Sequence, residues 1–299
     1  MSIIVLGTVA LDTVKTPFGK KRHMLGGSAV HFAMAARLFT KVNLVAVIGR
    51  DFPEKYLDFL RDKKIILTSL NRTPGATFKW EGEYRGDLNI ALTLKTTLGV
   101  LADFQPIISR GESKIKYIFL ANVDPDIQRH FLEKMRNPSL VGLDSMNYWI
   151  HNKRNSVIRI LRKVDIYVAN EQEARDLSGE GNLIKAAGYL QSCGPKMVLI
   201  KKGEHGVIFY SKRFIFCLPA YPTARVVDPT GAGDTFAGGF MGYLVRAGKL
   251  TPASIKKAIA YGTVTASFSV EGFGVDKTSR LKRKDLFSRL KRFKTYASL

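Results

Sequence analysis

Residues 228–240 read DPTGAGDTFAGGF: a Pro-Thr-Gly turn, a run of tiny residues, an aspartate, and then a helical pattern. Small residues let a backbone approach a ligand closely, and a helix start presents unpaired N–H groups that favour anions. Gly231, Ala232 and Gly233 therefore read as an anion-binding concavity opening a helix. Asp234 puts a negative charge in the same place. Local physics leaves two readings of it open, an ordinary helix cap or the group that does the chemistry. No Gly-Lys-Ser/Thr follows the glycines, so the stretch is not a P-loop.

Outward from this stretch, apolar runs alternate with amphipathic ones. SIIVLG, NLVAVIG, KYIFLAN, LVGLDS, DIYVAN and MVLIKKG read as short buried strands. AVHFAMAARLF, PEKYLDFLRDK, DIQRHFLEKMR, NSVIRILRKV, EQEARDLSG and NLIKAAGYLQS read as helices. This alternation predicts an α/β fold with a largely parallel sheet covered on both faces. With no repeats, low-complexity tracts or linkers, residues 1–299 read as one domain. Residues 11–24 and 74–95 break the rhythm, with turns expected near Glu81-Gly82 and Arg85-Gly86-Asp87. They predict a small β element beside the body, either a lid over a site or an extra sheet edge.

In open parallel sheets, ligands collect at the carboxyl ends of the strands. Asp12, Gly26-Gly27, Asn122, Asp144, Asn170, Gly203 and Gly231–Asp234 all follow predicted strands and so converge on one crevice.

Charge is the unusual feature of the composition. Forty-seven Lys and Arg against 25 Asp and Glu give a net +22, which attracts polyanions and phosphorylated metabolites. Residues 280–294 read as a basic helix docked by an apolar stripe of Leu281, Leu286, Phe287 and Leu290. No nucleic-acid module accompanies the charge, so nucleic acid is not the expected partner. The two cysteines, Cys193 and Cys217, have no metal or redox spacing. No apolar run reaches membrane-spanning length, and no basic segment precedes the first apolar run. These features read as a cytoplasmic protein without a membrane partner.

DPTGAGDTFAGGF closely resembles the second signature of the ribokinase-like, or PfkB, carbohydrate kinase family. Other segments agree in the order that family requires. VLGTVALD resembles its first strand, ending at a substrate-binding aspartate, here Asp12. LGGSAVHFAMAARL resembles its first signature, and NEQEA supplies an Asn-x-x-Glu pattern at Asn170 and Glu173. KKGEHG resembles its nucleotide-binding loop, and AIAYGTVTASFSVEGFG its adenine-side helix with the closing loop. The resemblance runs from about residue 2 to 275. It implies a three-layer α/β/α fold with a mainly parallel central sheet and a small β-sheet lid.

The resemblance also implies an ATP-dependent, Mg²⁺-requiring kinase acting on a hydroxyl of a small polyol, meaning a sugar, cyclitol or nucleoside. Asp234 takes the position of the general base, and the amides of Gly231, Ala232 and Gly233 that of the anion hole. Asn170 and Glu173 would organise Mg²⁺ through water. Lys201, Gly203, Gly206, Thr230 and Gly262 fall on the nucleotide side. Asp12, Gly26, Gly27, His31, Phe78 and Asn122 fall on the acceptor side. Asp228 either holds a monovalent cation, K⁺, or simply forms the turn before Pro229.

Lys201 stands where relatives often have Thr or Ser and reads either as a phosphate contact or as a solvated lysine. Two departures concern specificity, and the first is His31, where sugar kinases place an asparagine. The family's Asp-Pro-Asn-x-Arg segment appears only as Asp144-Ser145-Met146-Asn147. A nucleoside or sugar phosphate is the alternative to a free sugar as acceptor. A competing reading is a kinase-like fold reused as a nucleic-acid-associated binding protein. A dinucleotide-dependent oxidoreductase is disfavoured, because no G-x-G-x-x-G follows the first strand. A monomer and a homodimer formed through Phe78, Trp80 and Ile90 of the lid are both compatible with the sequence.

Overall fold

The computed structural model describes residues 1–86 and 88–297, so Asp87 of the second expected turn lies outside the described residues. From the N-terminus, β1 (Ser2–Leu6) leads into a hairpin, β2 (Ala10–Thr16) and β3 (Gly19–Gly26). Next come α1 (Ser28–Ala36), β4 (Lys41–Gly49), α2 (Glu54–Asp62), β5 (Ile65–Ile66) and β6 (Leu70–Thr73). A second pair, β7 (Lys79–Tyr84) and β8 (Ala91–Thr97), precedes the regular alternation. That alternation runs β9 (Tyr117–Leu120), α3 (Pro125–Glu133), β10 (Leu140–Asp144), α4 (Asn147–Asn152) and α5 (Arg154–Leu161). It continues with β11 (Ile166–Asn170), α6 (Glu171–Ser178), α7 (Leu183–Ser192) and β12 (Met197–Lys201). β13 (Val207–Ser211) and β14 (Ile215–Leu218) follow, then α8 (Ala232–Ala247), α9 (Pro252–Ser269), α10 (Asp276–Arg280) and α11 (Arg283–Ala297).

The large sheet has the order β14-β13-β12-β11-β10-β9-β1-β4-β5, with β6 also paired to β4. It is parallel from β12 to β5, and β13 alone runs in the opposite direction, pairing antiparallel with both β12 and β14. Strand residues alternate between two cores, as a period of 2 requires. Ile3 and Val5 pack with α1, α8 and α9 on one face, while Ile4 and Leu6 pack with α3, α5 and α7 on the other. The result is the three-layer α/β/α arrangement that the sequence pattern predicts.

The second half of the opening stretch is explained by helix packing. A Cβ at Gly238 would meet Phe32 and Ala35 of α1, one at Gly239 would meet Thr265 and Gly262 of α9, and one at Gly242 would meet Ala36. Small residues on all three helices let their backbones lie close together. α8 is thereby pinned against both neighbours, and its N-terminus is aimed at the carboxyl ends of the strands.

The small sheet has the order β3-β2-β7-β8, with β2 and β7 parallel and Asp12 opposite Trp80. Its own core is small: Val14, Tyr84 and Leu88, with Met24, Trp80 and Val226 packed against them. The sequence reading ended the first strand at Asp12, but β1 stops at Leu6 and Asp12 lies inside β2. The chain leaves the large sheet at Gly7, where a Cβ would come within 2.7 Å of Ser28 Oγ and 2.9 Å of the Ala121 Cβ.

The C-terminal helix α11 docks through Leu286, Leu290 and Phe293. Phe287, expected in that stripe, is 66% exposed. It lies one residue beyond Leu286, about 100° further round the helix, and so misses the contact face. Among the described residues, no helix is long and apolar enough to cross a membrane.

Candidate active site

Gly231 opens α8 with φ +71°, and a Cβ there would run into the His31 ring beneath it. Both the left-handed backbone and the lack of space demand glycine. Because Gly231 is the N-cap, Asp234 is the third residue of the helix and makes no capping bond. That removes the cap reading of this aspartate. Ala232 N–H donates to the Pro229 carbonyl at 3.1 Å, so it is not free for an anion. Among the described residues, the N–H groups of Gly231, Gly233 and Asp234 have no backbone partner. Of the expected anion-hole residues, Gly231 and Gly233 thus keep an N–H without a backbone partner and Ala232 does not, while Asp234 adds one.

Three adjacent strands, β10, β11 and β12, bring their last residues, Asp144, Asn170 and Lys201, to this turn. Lys201 Nζ lies 3.1 Å from Asp144 Oδ2, with side chains only 17% and 5% exposed. The same Nζ is 2.8 Å from where a Cβ of Gly233 would stand. Burial tends to discharge the ammonium, but Asp144, Glu173 and Asp234 outweigh it and hold the Lys201 pKa above its ordinary value. Burial, reinforced by the charge of Asp144, pushes the Asp234 carboxyl well above the usual carboxylate range, with Lys201 opposing.

Asn170 and Glu173 form a reciprocal capping box on α6. Asn170 Oδ1 accepts the Glu173 N–H at 2.8 Å, and Glu173 Oε2 accepts the Asn170 N–H at 2.7 Å. Glu173 is buried, which raises its pKa to about 8, with Asp144 adding to the shift.

On the expected acceptor side, Asp12 is 6% exposed. Its carboxylate fills the space beside Gly26 and accepts the Gly27 N–H. Burial raises its pKa to about 7 despite that bond, and the charge of Asp228 adds to the rise. His31 is 2% exposed, its Nδ1 has no partner, and burial lowers its pKa to about 4, so the ring is neutral. It supports the Gly231 turn from below. Asn122 is held by Trp149, whose Nε1 donates to Oδ1 at 3.1 Å. Phe78 packs against the body's second core.

On the expected nucleotide side, Gly203 and Gly206 bracket the tight turn between β12 and β13. Asn89 of the small sheet's loop reaches this turn, with Nδ2 donating to Glu204 at 3.1 Å. Thr230 N–H donates to Asp228 Oδ1 at 2.9 Å, and Gly274 N–H donates to Asp228 Oδ2 at 2.9 Å. Asp228 thus staples the turn to the loop after α9, as a turn-forming aspartate does. Gly262 is buried between α8 and α9, where a Cβ would lie 2.8 Å from the Phe236 carbonyl. Its missing Cβ makes room for that packing.

Two residues of this cluster were not assigned roles from the sequence. Asp144 carried a signal, because it ends a predicted strand. Tyr84 carried none: it lies in the middle of the polar interruption, and its hydroxyl accepts from Thr230 Oγ1 at 3.3 Å.

The arrangement is a helix start with N–H groups that have no backbone partner, a buried lysine close to it, and the carboxylates of Asp144, Glu173 and Asp234 nearby. Residues 130–281 match the family model described as pfkB family carbohydrate kinase. The chain is 32% identical over 247 residues to a cytidine kinase of Thermococcus kodakarensis, spanning 81% of this chain and 87% of that one. It is 24% identical over 269 residues to a nucleoside kinase of Methanocaldococcus jannaschii, spanning 88% and 83% respectively. Among solved structures, the M. jannaschii nucleoside kinase superposes with a TM-score of 0.79 at 21% identity, covering 97% of this chain and 98% of that one. The Giardia lamblia ribokinase superposes at 0.81 with 19% identity, covering 98% and 99%. The chain belongs to the PfkB family of carbohydrate kinases and has the ribokinase-like fold. It is a phosphotransferase.

Proposed function

We propose that this protein is a single catalytic unit that transfers the γ-phosphate of ATP to a ribosyl hydroxyl of a nucleoside, with the small sheet as its lid. The observation that carries the reading is Asp234, which stands directly after the Gly231–Gly233 turn, free of any capping role and beside free amides. As the alcohol oxygen bonds to phosphorus, Asp234 accepts its proton, the bond between the β,γ-bridging oxygen and phosphorus breaks, and ADP leaves. A carboxylate with a raised pKa is a better base for this step than an ordinary one. The free amides and Lys201 face the charge that develops on the phosphoryl oxygens.

Oxygen donors suit Mg²⁺, and the carboxylates of Asp144, Glu173 and Asp234 supply them around the turn. Among the described residues, no group of three or more His, Cys, Asp or Glu forms a ready-made metal cage. Mg²⁺ commonly keeps its waters and uses phosphate oxygens as ligands, so Asn170 and Glu173 would hold it through water. When bound, it neutralises phosphate charge. A putative ribokinase II of E. coli, similar in fold, has been solved with ATP and Mg²⁺.

Asp12, Gly26, Gly27 and Asn122 would contact the acceptor, and Gly203, Gly206 and Thr230 the nucleotide. The nucleoside class is favoured because the relatives matched over most of the chain include a cytidine kinase and nucleoside kinases. Two free cysteines fit a reducing cytoplasm. The test is an ATP-consumption screen over nucleosides, pentoses, hexoses, inositols and sugar phosphates. Turnover confined to a free hexose or an inositol would overturn the acceptor class, and no turnover at all would overturn the kinase reading.

A further inference from the structure

The Asp144–Lys201 pair serves neither the capping box nor the glycine turn. Burying two opposite charges costs desolvation that their attraction rarely exceeds, so stability alone explains the pair poorly. Asp144 is anchored independently of Lys201. Its Oδ1 accepts the Ser145 N–H at 2.8 Å, and Gln128 Nε2 donates to its carbonyl at 3.1 Å. Its Oδ2 then sets Lys201 Nζ at 3.1 Å. That places the ammonium above Gly233, within 2.8 Å of a Cβ position that only glycine leaves empty.

We propose that Asp144 is a positioning residue that holds the Lys201 ammonium over the Gly231–Gly233 turn, so that the phosphates of ATP meet a side-chain cation as well as backbone donors. This rests on the kinase reading above. A lysine is a point charge on a flexible four-carbon stem and loses rotamer freedom whenever it is ordered. Asp144 imposes that order in advance through one N–H and leaves two for phosphate oxygens. The cation also offsets Glu173 and Asp234, whose charges would otherwise repel the incoming phosphates.

The test compares Lys201→Met, Lys201→Arg, Asp144→Asn and the Lys201→Met/Asp144→Asn double variant. ATP and AMP are titrated calorimetrically without an acceptor, and kcat and KM for ATP are measured separately. Lys201→Met should weaken ATP by about 10- to 100-fold, the range of a charge-assisted hydrogen bond, while AMP changes less than about twofold. Lys201→Arg should recover part of the loss. Asp144→Asn should weaken ATP by about 3- to 10-fold on its own and have no further effect beside Lys201→Met. Unchanged ATP affinity in Lys201→Met, or a loss from Asp144→Asn that persists in the double variant, would overturn the assignment. An unaltered protein that binds neither nucleotide would instead sink the kinase reading itself, and the assignment with it.

Discussion

The hydroxyl of Thr230 donates to the hydroxyl of Tyr84 at 3.3 Å, joining the small sheet to the turn that precedes Gly231. Tyr84 is buried, and burial raises its pKa, so it is a neutral phenol at any working pH. With Asn89–Glu204, this is one of the polar ties by which the small sheet rests on the turn before Gly231 and on the Gly203–Gly206 turn. Tyr84→Phe keeps the ring packing against Val14 and Leu88 and removes only the tie. The expected outcome is a stability change of at most about 1.5 kcal/mol by urea denaturation, with a several-fold rise in KM for the acceptor. An unchanged KM would mean that the tie does not gate the site.

Asp234→Asn keeps the size of the side chain and removes the proposed base. Because Asp234 makes no capping bond, the helix should not lose stability, and the relief of a buried charge should raise it slightly. Turnover should fall by about 10²–10⁴-fold, the range for loss of a general base, with ATP affinity retained. Parallel kcat and ATP-binding measurements decide it, and near-normal turnover would remove Asp234 as the base.

Two substitutions of Glu173 separate its capping bond from its proposed metal role. Glu173→Gln keeps an acceptor for the Asn170 N–H, so the capping box survives and thermal stability should be held or improved. Half-saturation by Mg²⁺ should rise about tenfold or more. Glu173→Ala should lose the bond accepted from the Asn170 N–H, about 1 kcal/mol, and the metal response, while Asn170 still caps the helix through the backbone N–H of residue 173. Chelation with EDTA should abolish turnover of the unaltered enzyme and be reversed by added Mg²⁺.

The raised pKa of Asp12 has a stability consequence with a definite sign. Its folded value of about 7 lies above the ordinary 3.8, so the folded state binds the proton more tightly than the unfolded state does. The contribution is fully present below about pH 4 and is lost as pH rises through about 7. Urea denaturation between pH 4.5 and 8 should therefore show stability falling with pH, by a few kcal/mol at most from this group. Asp12→Asn should flatten that slope, and a slope unchanged by the substitution would discard Asp12 as its source.

The basic C-terminal helix makes a prediction about packing. Phe293 is 2% exposed and Phe287 is 66% exposed, although both are phenylalanines of the same helix. Phe293→Ala should cost about 3–5 kcal/mol by the removal of a buried ring. Phe287→Ala should stay within about 0.5 kcal/mol. Equal losses would mean that Phe287 is covered in solution.

Much of the fold was legible because its signals are local. Continuous apolar runs such as those around Ile3–Leu6 and Val198–Ile200 mark strands buried on both faces, and 3.6-residue periodicity marks the covering helices. β13 and β14 were not read as strands, since their antiparallel pairing at the sheet edge leaves a mixed polar pattern. Asp12 was assigned to the end of β1 because nothing local shows the chain leaving the sheet at Gly7. The packing of Gly262 against Phe236 was not legible either, because a small residue does not announce whether its missing Cβ makes room for a ligand or for a helix.

By itself, the sequence determined the layered α/β architecture and the segments that meet at the carboxyl end of the sheet, because periodicity and short motifs act over a few residues. Only the tertiary structure decided that Asp234 is no helix cap. Placing Gly231 at the N-cap makes the aspartate the third residue of α8, with no cap to form, and lets Pro229 take the amide of Ala232. It also decided that Asp144 and Lys201, 57 residues apart, form one buried pair over Gly233. That pair depends on the register of three parallel strands and on the close packing of α8 against α1 and α9, long-range contacts that no local pattern encodes.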